Sequence, residues 1–178
     1  MQQPRSKQFR LVAILIVILS SLFASAWFLH SNFEVLSDEE FWVAHTSEVL
    51  SALDQSLSSA RSAETSVRGY LLTGNKSYLD TFDTAKINAI DGLIHVNVLI
   101  QDNPIQVERV PVAMEVLKRR LQLLTDLQTR YLKDHGKIDK EVFQVSEGKV
   151  VMEQLRTQIE KMKETEQVLM KKRTDTTD

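Results

Sequence analysis

The segment Leu36 to Thr73, LSDEEFWVAHTSEVLSALDQSLSSARSAETSVRGYLLT, decides the fold. Leu36, Val43, Leu50, Leu57, Glu64 and Leu71 recur every seven residues, and Leu53, Ala60 and Val67 each follow a member of that column by three. This is an a/d seam held over several heptads, which predicts a long helix packed against others. Gly74 closes it where a left-handed helix C-cap favours glycine.

Toward the N-terminus lies the uncharged run Leu11 to Leu29, LVAILIVILSSLFASAWFL, preceded by Arg5, Lys7 and Arg10 and followed by Glu34, Asp38, Glu39 and Glu40. As a helix it reaches about 29 Å, close to the hydrocarbon thickness of a bilayer. Basic residues before it and acidic residues after it place the N-terminus in the cytoplasm and the rest outside the cytoplasmic (inner) membrane. Ala24-Ser25-Ala26 also has the form of a signal-peptidase site. Apolar character continuing through Trp27, Phe28 and Leu29 favours an uncleaved anchor, and either reading exports the remainder.

That remainder, roughly 150 residues, suffices for one domain with a full core. The chain carries 22 basic and 24 acidic residues, for a net charge of −2. Three of the basic residues precede the anchor, so the exported part is about −5 and has nothing to attract nucleic acid. With no cysteine, neither disulfides nor thiolate chemistry contributes.

Periodicity continues beyond Gly74. Leu79, Lys86, Leu93 and Ile100, with Phe82, Ala89 and Val96, predict a second helix ending at Asp102-Asn103-Pro104. Asn103, Pro104 and Gln106 supply an N-cap, a proline at the first helical position and a capping-box partner for a third. Pro111 is expected to bend that helix or delay its regular start. After His135-Gly136-Lys137, a fourth helix follows Val145, Met152, Leu155, Ile159, Met162 and Leu169. The β-branched stretch Leu93 to Ile100 also suits a strand, but its helical flanks outweigh that reading.

Short connections make successive helices antiparallel. The expected fold is therefore all-α, with an N-terminal transmembrane helix continuing into an antiparallel up-down-up-down four-helix bundle. The expected divisions are a cytoplasmic segment over 1–10, a membrane helix over 11–29 and a bundle over 30–173. Residues 174–178 are expected to be a frayed tail or the start of a second membrane segment. Ile87, Ile90, Ile94, Val98 and Leu99 exceed what one core face needs, which fits either a wide core face or a contact between copies.

Glu64 and Lys86 occupy core heptad positions at similar distances from the Gly74 turn, with Lys149 and Arg68 within reach. Together they are a candidate polar core layer and switch, unless the long side chains reach solvent at the rim. Glu166 is expected near the height of His45, where a contact would make a proton-sensitive stalk; the alternatives are solvation or pairing with Lys163 or Arg173.

The block Ala63-Glu64-Thr65-Ser66-Val67-Arg68-Gly69-Tyr70-Leu71-Leu72-Thr73-Gly74, followed by Tyr78-Leu79, resembles the signature of the third type of CHASE domain, an extracytoplasmic sensory module of bacterial receptors. Asp102 to Gln106, Gly148 to Met152, and Glu166 with Leu169 and Arg173 fall where that family has similar features. The resemblance implies a sensor bundle between two membrane helices, coupled to a cytoplasmic histidine kinase, nucleotide cyclase or related output module. Here no second apolar run follows Arg173, so the expectation is the N-terminal sensory part of a longer receptor, or else a single-pass protein.

No catalytic set emerges. His30, His45, His95 and His135 are scattered, and none sits in a Glu-x-x-His pair. Asp91 and His95, one turn apart, fit a solvated surface better than a metal site. No cofactor is expected. The expected partners are the membrane, a second copy, an unidentified small-molecule or protein stimulus, and the output domain. The competing reading is a structural tether that recruits a partner without transmitting a signal.

Overall fold

A computed structural model describes residues 5–134 and 147–175, with side chains described outside 5–8 and 29–39. The expected turn at His135-Gly136-Lys137, the apolar Val145 and the tail beyond 175 lie outside the described residues, as does the side chain of Leu36. Four helices account for the described chain: α1 (Arg5–Thr73), α2 (Ser77–Leu99), α3 (Pro104–Lys133) and α4 (Glu147–Asp175). The segment Phe9–Phe28 of α1 is long and apolar enough to cross a membrane, and none of it is buried. "Proximal" below means the bundle end nearer this segment, "distal" the end at Gly74.

At 69 residues, α1 is about 104 Å long and forms the spine of the structure. It packs on all three other helices, α2 on α3, and α3 on α4. Ser56 beside Ala89 and Gly92, and Gly69 beside Tyr78, show that α1 and α2 run antiparallel. The distal turn rests on Gly74, whose φ of 69° lets its N–H donate to the Tyr70 carbonyl at 2.7 Å. Thr73 Oγ1 accepts from the Asn75 N–H and Asn75 Oδ1 from the Ser77 N–H, which carries the chain into α2. The Leu93 stretch is helical through Leu99.

Asn103 caps α3, its Oδ1 accepting from the Gln106 N–H at 3.4 Å. The reciprocal half of the expected capping box does not form. The Asn103 N–H donates to the Ile100 carbonyl at 2.9 Å instead, leaving the Gln106 side chain free to enter the core. Pro111 lies inside an unbroken α3 rather than delaying it. Pro111 itself is exposed, so its ring displaces nothing in the core.

The buried columns of α1 are Val49-Ser56-Ala63-Tyr70 and Leu53-Ala60-Val67, flanked by Leu57 and Leu71. Val43 is exposed and Leu50 only half-buried, so the seam is rotated about one position from the spacing-based register. Small side chains cause the rotation. Ser56, Ser59, Ala63 and Ser66 let α2 approach until Ser56 Oγ donates to the Ala89 carbonyl at 2.7 Å. A Cβ on Gly92 would stand 2.9 Å from Ser56 Cβ and 3.1 Å from its backbone. Gly92→Val should therefore push α1 and α2 apart and cost about 2–3 kcal/mol, read as a lower midpoint in thermal unfolding followed by circular dichroism.

Candidate functional site

Two polar layers cross this core. The distal one centres on Glu64, which leaves α1 on the side facing α3. Its Oε1 accepts from Arg68 Nη2 at 2.6 Å, one turn along the same helix, and its Oε2 from Arg120 Nη2 at 2.9 Å. Arg120 is 7% exposed, a cation in the core of α3. Gly148 of α4 makes room for it, since a Cβ there would stand 2.6 Å from Arg120 Nη1. The Arg119–Glu147 ion pair fastens the same ends of α3 and α4.

Lys86 and Lys149, expected in this layer, are placed differently. Lys149 is exposed, because Val151 and Leu155 set the inner face of α4 one position away from it. Lys86 is half-buried on α2, and among the described ion pairs neither lysine reaches Glu64. Arg120 replaces both. The signal for it lay in α3, where Ala113-Arg120-Leu127 alternates with Val110-Leu117-Leu124-Tyr131 in a regular heptad.

The proximal layer contains Thr46, Gln106 and Glu166, each 1% exposed or less. Gln106 Nε2 donates to the Met162 carbonyl at 2.7 Å and to Glu166 Oε1 at 3.0 Å. Thr46 Oγ1 and Gln106 Oε1 are buried without a hydrogen-bond partner. Arg109 adds a rim contact, donating from Nη1 to Thr165 Oγ1 at 2.6 Å and to the Lys161 carbonyl at 3.1 Å.

Below that layer a clasp joins three elements. Arg173 of α4 lies with its guanidinium carbon 3.6 Å above the Trp42 ring of α1 and pairs with Asp102 in the α2–α3 turn. His45 Nε2 stands 3.8 Å from the other Asp102 oxygen, and Trp42 packs edge-on to both His45 and Phe41. His45 and Glu166 thus reach separate partners, Asp102 and Gln106, because Glu166 points into the core while His45 flanks it. Sequence spacing missed Trp42, which lies one heptad before Val49 in the true α1 column; Arg173, one heptad after Glu166 and expected as its partner, pairs with Asp102.

Elsewhere, His95 lies 3.3 Å from Glu48. Among the described residues no group of His, Asp or Glu side chains has metal-site geometry. The grooves on the surface are open and shallow, such as the hydroxyl- and amide-lined one between α1 and α2 at Ser59, Ser62, Asp80, Thr84 and Asn88.

Fold and layers together define an antiparallel four-helix bundle continuous with a helix apolar enough to cross a membrane. The chain matches the model of the CHASE3 domain over residues 39–176 and belongs to that family, whose members are extracytoplasmic sensory domains of signalling receptors, not catalytic ones. No curated protein matches it. No solved structure matches it either.

The distal layer makes a specific demand. Arg120→Ala leaves Glu64 facing the core with only Arg68, and stability should fall by about 2–4 kcal/mol. Glu64→Leu combined with Arg120→Met removes both charges and should recover most of that loss. Unfolding midpoints of the two variants and the parent, completed as a double-mutant cycle, check this.

Proposed function

We propose that the chain is the sensory domain of a transmembrane receptor and reports a stimulus by changing how α1 and α4 sit together at the proximal end. Its first ten residues lie in the cytoplasm, 11–29 span the membrane and 30–173 work outside it, with Arg5, Lys7 and Arg10 holding the N-terminus inside. Two copies associate with their anchors and stalks parallel, and a cytoplasmic output module receives the signal. The observation that carries this reading is the clasp. Trp42 and Arg173 belong to the two helices that lie at that end of the bundle, and Arg173, stacked on Trp42, pairs with Asp102 in the turn joining the other two.

A stimulus shifts a two-state bundle only through unequal affinity for its two arrangements, commonly worth about 1–3 kcal/mol. The clasp is of matching size. A cation stacked on an aromatic ring contributes about 0.5–2 kcal/mol and a partly exposed ion pair about 1 kcal/mol or less. A contact of that order can be opened and closed by ligand binding, whereas a fully buried network is too costly to break.

Two measurements test the reading. In a receptor formed by joining α4 through a membrane helix to a histidine kinase, Arg173→Ala should shift unstimulated phosphorylation severalfold at unchanged helicity. Unchanged output would leave the chain as a tether. Topology is checked on the cysteine-free background. Asp80→Cys should react with a membrane-impermeant maleimide in intact cells, and Gln8→Cys only after lysis.

A further inference from the structure

The face of α2 turned away from the core carries an apolar stripe. Ile87, Ile94 and Val98 are 57%, 52% and 64% exposed, while Phe82, Ala85, Ala89 and Val96 bury the opposite face. With Asp91 and Gln101 the positions 87, 91, 94, 98 and 101 alternate by four and three, which is a second heptad seam pointing outward. Among the described residues, the other exposed apolar side chains of α3 and α4 make no such seam. Ile105 and Val112 on α3 have Glu108, Arg109, Glu115 and Arg119 around them, and Val150 and Val168 on α4 stand far apart.

We propose that this face of α2 is where two copies of the chain pair, side by side and parallel, about a two-fold axis along the bundle. The proposal rests on the membrane-anchored, dimeric reading above and names its surface. Lipid does not reach the stripe: Gly92 packs on Ser56, about 42 Å up α1 from Phe28, and Val98 lies about 33 Å up.

Copies anchored by the same segment stand in the same direction at the same height, so a two-fold axis along the membrane normal sets each residue of α2 opposite its own mate. Ile87, Ile94 and Val98 then meet Ile87, Ile94 and Val98. On α2 the seam is bordered by Asn88, His95 and Asn97, and the Glu48 carboxylate of α1 lies 3.3 Å from His95. Within the seam Asp91 is the charged position that opposes its mate.

Three apolar pairs cover far less than the roughly 1,200–2,000 Å² of a stable soluble interface. Within one membrane the anchors raise the effective concentration enough for a small seam to close, and Asp91 keeps the closure reversible.

Cysteine cross-linking of the full chain in membranes tests the face, since the protein has no cysteine of its own. Because a disulfide forms only when the two Cα atoms come within about 7 Å, Ile87→Cys and Ile94→Cys should give roughly tenfold more cross-linked dimer than Val112→Cys on α3 or Val168→Cys on α4. Asp91→Asn should raise the Ile94→Cys yield about two- to fivefold by removing the like-charge opposition. Preferential cross-linking at Val112→Cys or Val168→Cys would overturn the proposal. A Gln8→Cys reporter beside the anchor separates the remaining cases. Cross-linking there with none on α2 removes this face and leaves the dimeric reading standing, and none at either place removes both.

Discussion

Everything in the bundle is referred to one rod. Because α1 runs unbroken from Arg5 to Thr73, the apolar segment and the distal Gly74 turn are ends of the same helix, and α2, α3 and α4 all take their positions from it. Most of the stability of a helix within a protein comes from packing its apolar face, and in α1 the buried Leu53-Ala60-Val67 column supplies it. The face toward α2 is built of serine and alanine, which brings that pair of helices close. The buried Ser56 hydroxyl is satisfied by bonding to α2 itself.

Apolar columns of this kind slide. A heptad seam alone tolerates displacement by whole turns, and the two polar layers remove that freedom. Glu64 has its second cation only where Arg120 stands, and Arg120 fits only opposite Gly148, so α1, α3 and α4 share a single register at the distal end. Gln106 does the same at the proximal end, reaching both Met162 and Glu166 across one turn of α4.

Helix number, the distal glycine cap, the Asn103 cap and the general height of the Glu64 layer were legible in the sequence, because each follows from spacing or from a local backbone requirement. What spacing could not give is rotation. A shift of the α1 seam by one position turns Val43 outward and brings Trp42 and Val49 in, and it follows from how closely α2 packs on small residues, a tertiary effect. The error carried into the layers. Lys86 and Lys149 are long cations near the right height, yet the one that enters the core is Arg120, reading as an ordinary member of the run Lys118-Arg119-Arg120 until α3 is given its own heptad. Gln106 was read as half of a capping box, and the competing backbone bond from Asn103 to Ile100 released it for the core.

The distribution of contact strength around α4 decides where the bundle yields. Two buried hydrogen bonds from Gln106 and the Arg109 contacts hold α4 to α3, and Arg173 holds it to the turn that starts α3, so polar contacts tie α3, the turn and α4 to one another. Between α4 and α1, links among the described residues include the Lys163–Asp54 pair, in which Asp54 is exposed, and the stacking of Arg173 on Trp42. Buried hydrogen bonds contribute about 1 kcal/mol each and leave costly unpaired groups when broken, whereas an exposed ion pair contributes less and water replaces its partners. The displacement proposed above needs only these exposed polar links along the proximal α1–α4 boundary to exchange with water. The Glu64–Arg120 pair at the other end resists separation, since parting it would strand a buried cation.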